Sequence, residues 1–422
     1  MTLVPIFAEN TKHAMYFRRW IDQELRRHLA RGKSILLLGP RQTGKTTLVG
    51  RLDAALRISL VSPGERQRYE KDPSVLLEEI RALRASSRRG KRPLVVVDEV
   101  QKVPALMDAC QSAIDGGEAQ FVFTGSSARK LRRGQEINLL PGRVVALRLD
   151  PLTIEEDAAA TLREALLFGA LPAIRKVRLL TDKETDLRSY VETYLEEEVR
   201  QEALVRNVGT FARFLELAAL ESGRIANFSK ISSDVGVSAA TVQAYFEILC
   251  DCLVAERIDP ITRSASRKKL TKASRYVLFD LGVRRLAADE GTRLNPSRMG
   301  ELFEQFVGLE LVRYVRAHVP RARVRFWRDP DGPEVDWVIE QQGKYLPIEV
   351  KLSERPTERD ARHVRVFMKE YRASSGLIVC TAPRPMVVAP GVTAVPWPDL
   401  PSILHRLTAR KRPSYHPPAR SK

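Results

Sequence analysis

Long hydrophobic runs and cysteines are scarce in this sequence of 422 residues. The longest apolar runs, ILLL and LVVV, are four or five residues long, whereas a membrane-spanning helix needs about 20. Four cysteines are too few for a disulfide scaffold, and the pair in CDC has no second pair to complete a zinc site. The N-terminus shows no basic segment leading into an apolar stretch, so no secretory signal is predicted. We therefore expect a protein that does not cross a membrane and that is located in the reducing cytoplasm.

Positive charge is abundant by contrast. Lys and Arg total 70 against 52 for Asp and Glu, which gives a net charge of +18 and a field that attracts polyanions. DNA is the first partner that this charge suggests. The alternative is a solvated basic surface that only keeps the protein dispersed.

The apolar residues, 44% of the chain, are numerous enough for several cores, and the length favours two to four domains. An amphipathic helix is expected within residues 12–31. Continuous apolar runs separated by helical patterns predict an α/β fold with a parallel sheet covered on both faces. The predicted strands are 35–38, 56–60, 94–97, 121–124 and 144–149. Asp72 and Pro73 predict the start of a helix before VLLEEIRALR.

A complete phosphate-binding motif, GPRQTGKT, follows the first of these strands and precedes a helix. In such a loop the glycines let the backbone wrap the phosphates, while the lysine reaches the terminal phosphates and the threonine hydroxyl binds Mg²⁺. The predicted ATP-binding residues are Gly39, Pro40, Arg41, Gln42, Thr43, Gly44, Lys45, Thr46 and Thr47.

Catalytic candidates lie at the ends of three later strands. LVVVDE ends in Asp98, expected to hold Mg²⁺ with Thr46, and in Glu99, expected to activate the attacking water. FVFTGSSA places Ser126 where a γ-phosphate sensor is expected, although a serine at a strand end is also a common turn former. Arg143 precedes the fifth strand, from which an arginine can reach the nucleotide of a neighbouring subunit. This predicts a homo-oligomer, with a ring or hexamer among the options.

The strings GPRQTGKTTL, VVVDEVQKVP and TGSSA, with the PGR and PLT that flank the fifth strand, resemble prokaryotic AAA-type P-loop ATPases with a C-terminal restriction-nuclease-like, PD-(D/E)XK-like domain. The resemblance covers nearly the whole chain. It implies an AAA-type core, a helical lid, a winged helix and that C-terminal domain, without an agreed substrate. FGALPA at 168–173 resembles the family's Gly-Pro turn in the lid, to which the sequence assigns no chemical role.

The expected domains follow this order along the chain. They are the P-loop ATPase core with its N-terminal helix (1–150), the helical lid (151–208), the winged helix (209–290), the nuclease-like domain (291–407) and a disordered basic tail (408–422). The second helix of a helix-turn-helix presents its first residues to base edges. The DNA-contact candidates are Ser238, Thr241 and Gln243 on that helix and Arg267, Lys268 and Lys269 on a hairpin wing. The alternative is a winged helix that serves only for packing between domains.

The stretch EVDWVIEQQGKYLPIEVK alternates like two strands around a QQGK turn, which predicts a hairpin. On such a hairpin Asp336 approaches Glu349, and Lys351 shares the face of Glu349. Two carboxylates and a lysine are the metal-and-water set of PD-(D/E)XK nucleases, and Glu304 stands on the preceding helix where that fold often has another acid. The alternative is a retained fold whose acids form internal ion pairs.

Together these features predict a Mg²⁺-dependent ATPase that binds and remodels or translocates on duplex or branched DNA as an oligomer, with ATP and Mg²⁺ as cofactors. Two alternatives stay open. One is an ATP-gated, metal-dependent DNA nuclease. The other is a nucleotide-switched signalling or scaffold ATPase that acts on a protein partner.

Overall fold

The computed structural model describes residues 16–86, 92–126, 142–195, 208–262, 264, 270–330 and 332–408. The chain divides into two compact units, of which the first comprises Met1–Asp259 with Ala273–Phe306 and the second comprises Pro260–Lys272 with Val307–Lys422. Among the described residues no helix is long and apolar enough to span a membrane.

The strands are β1 (Ser34–Leu38), β2 (Leu56–Ser59), β3 (Leu94–Asp98), β4 (Gln120–Gly125), β5 (Val144–Arg148), β6 (Ala255–Ile258), β7 (Arg275–Leu278), β8 (Arg323–Arg328), β9 (Glu334–Gln341), β10 (Lys344–Lys351), β11 (Gly376–Cys380), β12 (Met386–Ala389) and β13 (Val392–Pro396).

The helices are α1 (Trp20–Ala30), α2 (Lys45–Val49), α3 (Pro63–Lys71), α4 (Val75–Ser86), α5 (Leu106–Asp115), α6 (Leu162–Phe168), α7 (Pro172–Lys176), α8 (Leu180–Ser189), α9 (Val208–Leu220), α10 (Phe228–Val235), α11 (Ala239–Asp251), α12 (Leu281–Ala287), α13 (Pro296–His318), α14 (Arg362–Tyr371) and α15 (Leu400–Thr408). A π-helical turn spans Tyr190–Leu195, and single 3-10 turns span Val100–Lys102 and Trp397–Asp399.

The five strands predicted for the N-terminal part form one sheet in the order β2-β3-β4-β1-β5, and every neighbouring pair is parallel. Successive residues of β1 enter different cores, since Leu36 packs in one cluster while Ile35 and Leu37 pack in another. This is the burial on both faces that continuous apolar strands predict. The α/β prediction is confirmed.

The predicted start of α4 is wrong by two residues. The helix begins at Val75, and Asp72 ends α3. The Asp72 carboxylate accepts bonds from the backbone N–H of Ser74 at 2.9 Å and from its hydroxyl at 2.6 Å. Asp72 therefore stabilises the turn between two helices, a role that the same Asp-Pro-Ser sequence also suits.

The helices expected as a separate lid and a separate winged helix share one hydrophobic core. It runs from Leu167 and Phe168, through Phe211, Phe214 and Phe246, to the residues around α12. The region expected as a winged helix contains the three helices α9, α10 and α11, which are followed by β6, and β6 pairs with β7 in antiparallel fashion. The predicted division near residue 208 therefore does not separate two cores.

The tract predicted as a wing is described only at its two ends. Both described ends of the tract between β6 and β7 pair with β8, because the N–H groups of Ile261 and Thr271 donate to the carbonyls of Phe326 and Arg328 at 2.8 and 3.2 Å. β8 is the edge strand of the second sheet, and an edge strand has backbone groups that a passing segment can satisfy. Arg267, Lys268 and Lys269 lie outside the described residues, as do 409–422 of the expected basic tail.

The second unit contains a six-stranded sheet in the order β12-β13-β11-β10-β9-β8. β8, β9 and β10 form an antiparallel meander, and β11 is parallel to both β10 and β13. Trp327 and Phe367 meet edge to face in its core, with ring centroids 5.4 Å apart. Gln342 and Gly343 have positive φ angles of 51° and 75° in the β9–β10 turn, which suits a two-residue turn. The hairpin prediction is confirmed.

Gly308 of α13 lies against the buried indole of Trp337, and a Cβ at this position would stand 2.2 Å from Cζ2 of the ring. We expect Gly308→Ala to lower the free energy of unfolding by about 1–3 kcal/mol, because a packed core does not yield to an extra methyl group. Urea unfolding followed by circular dichroism measures the loss.

Gly300 on the same helix is the matched control, since nothing lies within 4 Å of a Cβ there. Gly300→Ala should raise stability by about 0.5–1 kcal/mol through helix propensity. Equal effects of the two substitutions would contradict the packing assigned to Trp337.

Candidate nucleotide-binding site

The loop between β1 and α2 has the backbone of a phosphate-binding loop. Gln42 and Gly44 have positive φ angles of 60° and 95°, and α2 begins at Lys45 directly after Gly44. Gly39 is required for a different reason, since a Cβ there would stand 2.2 Å from the carbonyl oxygen of Leu149. The end of β5 therefore approaches the loop so closely that only glycine fits at its first position.

Arg19 and Tyr190 hold this loop from outside the motif. Arg19 is 5% exposed and donates to the carbonyls of Thr43 and Asp150, each at 2.6 Å. The Tyr190 hydroxyl donates to the carbonyl of Arg41 at 3.3 Å. The sequence analysis predicts none of these three contacts, because each joins residues more than twenty positions apart.

Lys45 is buried at the base of the loop. Its ammonium donates to the carbonyls of Gly39 and Pro40 at 2.8 and 3.0 Å. Burial lowers the pKa of Lys45 to about 8, although the negative charges of Glu99 and Asp98 act in the opposite direction. The predicted phosphate-binding lysine therefore lies beside both predicted carboxylates.

Thr46 and Asp98 come together as predicted for a magnesium pair. The Thr46 hydroxyl donates to Asp98 Oδ2 at 3.1 Å, and the Thr124 hydroxyl of β4 donates to Asp98 Oδ1. A hydroxyl and a carboxylate are oxygen ligands of the kind that Mg²⁺ prefers beside nucleotide phosphates. These residues fit the ion that the motif implies.

Glu99 is held by three neighbours. Its backbone, with φ 58°, donates an N–H bond to Thr124 Oγ1 at 3.0 Å. Its carboxylate Oε2 accepts from the Ser126 hydroxyl at 3.1 Å and from Gln101 Nε2. Ser126, the predicted γ-phosphate sensor, is thus placed against the predicted catalytic carboxylate, and Gln101 is an addition that the sequence did not suggest.

A pocket of about 500 Å³ opens over these groups. Besides residues of the loop, Asp98 and Glu99, its lining includes Lys102, Pro172, Ala173 and Lys176. Pro172 and Ala173 belong to the FGALPA stretch, which thereby acquires a place at the site. Lys102 and Lys176 add two cations to an anion site for which the sequence analysis names Arg41 and Lys45.

Residues 31–157 match the model of a family described as AAA domain. The N-terminal domain is an AAA-type P-loop domain. Residues 159–294 and 299–400 match two further families, each described as a domain of unknown function, DUF8612 and DUF4143. Neither description mentions a winged helix or a nuclease, so those two assignments stay predictions.

Two curated relatives share 26% identity with this chain over 388 residues, which is 90% of this chain and 83% of each relative. They are the uncharacterized proteins Rv2008c of Mycobacterium tuberculosis and Mb2031c of Mycobacterium bovis.

Solved structures with weak similarity include three proteins. ORC1 of Aeropyrum pernix, in complex with DNA, has 16% identity, covers 64% of this chain and 92% of its own, and has a TM-score of 0.27. DnaA of Aquifex aeolicus, bound to AMPPCP, has 13% identity, covers 53% of this chain and 84% of its own, and has a TM-score of 0.23. The DNA clamp loader delta protein YqeN of Bacillus subtilis has 15% identity, covers 54% of this chain and 87% of its own, and has a TM-score of 0.25. Scores this low carry no argument, and the assignment of the AAA domain rests on the family match and the geometry of the loop.

Arg143 of the AAA domain lies at the surface and pairs with Asp115 on the same chain. Its Nε and Nη2 donate to the two carboxylate oxygens at 2.5 and 2.9 Å. This bond lowers the pKa of Asp115. The pair holds the guanidinium in one orientation, and a contact with a neighbouring subunit stays a prediction.

The predicted DNA-reading helix is α11. Ser238 caps it by accepting from the N–H of Thr241 at 3.1 Å, and Gln243 donates to Glu247 at 3.2 Å. α11 contains no Lys or Arg. The three predicted contacts are therefore grouped at the start of one helix, but the positive charge expected beside them is absent from that helix.

The predicted C-terminal cluster forms in part. Lys351 Nζ contacts Glu349 Oε1 at 2.8 Å, and Asp336 Oδ2 accepts from the backbone N–H of Val350 at 2.8 Å. Burial lowers the pKa of Lys351, but the charges of Glu349, Asp336 and Asp360 outweigh burial, so the net shift is upward. Three residues of the motif are thus neighbours on the hairpin.

Glu304, the fourth predicted residue, belongs to the first unit. There its carboxylate accepts from Arg275 Nη1 at 2.7 Å. This ion pair is the structural role that the sequence analysis considered for the acids of the motif.

The lowered pKa of Lys45 predicts a pH dependence of nucleotide binding. Only the charged ammonium attracts phosphate, so affinity should be flat below about pH 8 and should fall by up to about tenfold per pH unit above it, where binding must be accompanied by proton uptake. Fluorescent-nucleotide titrations between about pH 7.5 and 9.5 measure this slope.

Lys45→Arg is the control, because its side chain stays charged across that range and any affinity it retains should not decline. A flat wild-type profile would contradict the role of Lys45.

Proposed function

We propose that the protein is a Mg²⁺-dependent ATPase that converts ATP to ADP and phosphate and acts on DNA as an oligomer. The observation that carries the proposal is the Thr46–Asp98 contact at 3.1 Å, which lies beside the buried ammonium of Lys45 and the held carboxylate of Glu99. Strand order alone brings these groups to one edge of the sheet, and their chemistry is that of phosphate and metal binding.

Residues of the loop and the lid bind the nucleotide in this proposal. The N–H groups at the start of α2 face an anion, and Lys45, Lys102 and Lys176 provide positive charge around the same pocket. Thr46 and Asp98 are the residues that would hold Mg²⁺, and the ion would supply neutralisation of charge on the nucleotide phosphates. Nucleotide entry therefore replaces the carbonyl contacts of Lys45 with phosphate contacts.

Glu99 activates the water that hydrolyses ATP in this proposal. Among the described residues, the bonds to its carboxylate that come from Ser126 and Gln101 both end on Oε2. Oε1 is the atom that would orient the attacking water and accept its proton. Ser126 responds to the γ-phosphate through this bond to Glu99.

DNA binding rests on charge. A net charge of +18 creates a field that steers polyanions to the surface and makes association depend on salt. Remodelling or translocation is the action that joins hydrolysis in the AAA domain to a bound polynucleotide. Arg143, which Asp115 keeps oriented at the surface, is the residue that we propose reaches a neighbouring subunit.

Glu99→Gln should reduce hydrolysis by about 100-fold or more, because the amide keeps the shape of the side chain but accepts no proton. Nucleotide affinity should change little, since phosphate contacts come from other residues. Phosphate release and nucleotide titration measure the two quantities, and the exposed Glu70→Gln is the matched control that should retain activity.

The same assay with linear, single-stranded and branched DNA tests the partner. We expect at least one form to stimulate hydrolysis and to bind with an affinity that falls steeply as salt rises. If no form of DNA binds or stimulates hydrolysis at moderate salt, the DNA part of the proposal is wrong. The ATPase part is tested separately, by the loss of hydrolysis in Glu99→Gln.

Metal-dependent cleavage of DNA is a second candidate, favoured by the approach of Lys351 to Glu349 at 2.8 Å on the strand next to Asp336. Asp336→Asn should reduce cleavage of DNA with Mg²⁺ or Mn²⁺ by about 100-fold or more, because it removes one of two metal-binding charges. The exposed Glu354→Gln is the control. Identical behaviour of wild type and Asp336→Asn on every DNA form would exclude this function.

A further inference from the structure

The carboxylate of Asp280 joins two segments that are 110 residues apart in the sequence. Asp280 is 1% exposed and stands before α12, where its Oδ1 accepts from the N–H of Val283 at 3.0 Å. Its Oδ2 accepts from the N–H of Ala170 at 2.7 Å. One side chain therefore caps a helix and holds the turn between α6 and α7.

Two glycines allow this approach. Gly169 has a φ of 68°, and a Cβ there would stand 2.0 Å from Asp280 Oδ1. A Cβ on Gly282 would stand 2.4 Å from the carbonyl of Phe168. Because backbone and carboxylate meet without intervening side chains, the turn and α12 have no room to move independently.

Arg285, which lies on α12, holds the same turn through hydrogen bonds. It is fully buried, and its Nε donates to the carbonyl of Leu167 at 2.7 Å. Its Nη1 donates to Glu184 Oε1 and to the carbonyl of Glu290, each at 2.9 Å. We call Asp280, Gly282 and Arg285, with residues 167–170, the lid clasp.

The lid clasp stands between the nucleotide pocket and the helices that follow. On one side, Pro172 is two residues beyond Ala170 and lines the pocket together with Lys176. On the other side, α12 follows β7 directly, and the N–H of Phe279 donates to the carbonyl of Val254 at 2.9 Å. α12 therefore links the pocket-lining helix α7 to the module of α9–α11, β6 and β7.

We propose that Asp280 is a positioning residue that couples nucleotide binding at the AAA domain to this module, and this rests on the nucleotide binding proposed above. Asp280 sets the position of Pro172 and Lys176 through the N–H of Ala170. Coupling of this kind is reciprocal, so a partner bound to the module changes nucleotide affinity by the same factor.

Asp280→Asn separates coupling from folding. The amide oxygen still caps α12, since Asn is a good capping residue, but the amide N–H₂ then faces the N–H of Ala170. We expect KM for ATP to rise about threefold to tenfold, from the loss of one buried hydrogen bond, while kcat changes less. In wild type we expect nucleotide binding to change the rate of hydrogen exchange of residues 239–258 and 275–279. In Asp280→Asn we expect this change to be lost.

Asp182→Asn is the matched control, because Asp182 is an exposed aspartate of the first turn of α8 and should leave KM and exchange unchanged. A lower Tm in Asp280→Asn with wild-type KM and a wild-type exchange response would reduce Asp280 to a structural cap and overturn the proposal. If wild type binds nucleotide and exchange in the module does not respond, only this inference fails. If wild type binds no nucleotide, the proposed function fails with it.

Discussion

The hydrogen bond from Thr46 to Asp98 depends on a single constraint, which is the insertion of β4 between β1 and β3. Carboxyl ends of parallel strands meet at one edge of a sheet, so this order brings the threonine that follows β1 and the carboxylate that ends β3 within 3.1 Å. Thr124 on the intervening strand bonds both Asp98 and the backbone of Glu99. The proposed metal pair, Thr46 and Asp98, and the proposed catalytic carboxylate of Glu99 are therefore placed by the sheet itself, and the loop and the pocket are arranged around them.

The part of this site that the sequence predicts is the part that local patterns determine. The loop motif, the apolar strands and the carboxylates that end LVVVDE are all contiguous, and the structure places Lys45, Thr46, Asp98 and Glu99 together. The β9–β10 hairpin is predictable for the same reason, since alternation and the turn residues at Gln342 and Gly343 lie within one short stretch.

What the sequence does not predict is set by contacts between distant segments. Arg19 and Lys176 reach the site only through the tertiary fold. The described ends of the tract between β6 and β7 pair with β8, because an edge strand offers backbone groups, and no local pattern reveals this. FGALPA is the clearest case, since a turn without an assigned role becomes intelligible only once Asp280, 110 residues later in the chain, is seen to accept from Ala170.

In this chain the hydrogen bonds of Asp280 connect the proposed phosphate site to a distant helical module. The central claim is that the edge of the AAA sheet binds a magnesium nucleotide. Calorimetric titration of a slowly hydrolysed ATP analogue into the full-length chain, with Mg²⁺ and then with chelator, tests it most directly. The account predicts one site per chain whose affinity weakens by about tenfold or more without the ion. Absence of binding, or an affinity that does not respond to Mg²⁺, would contradict it.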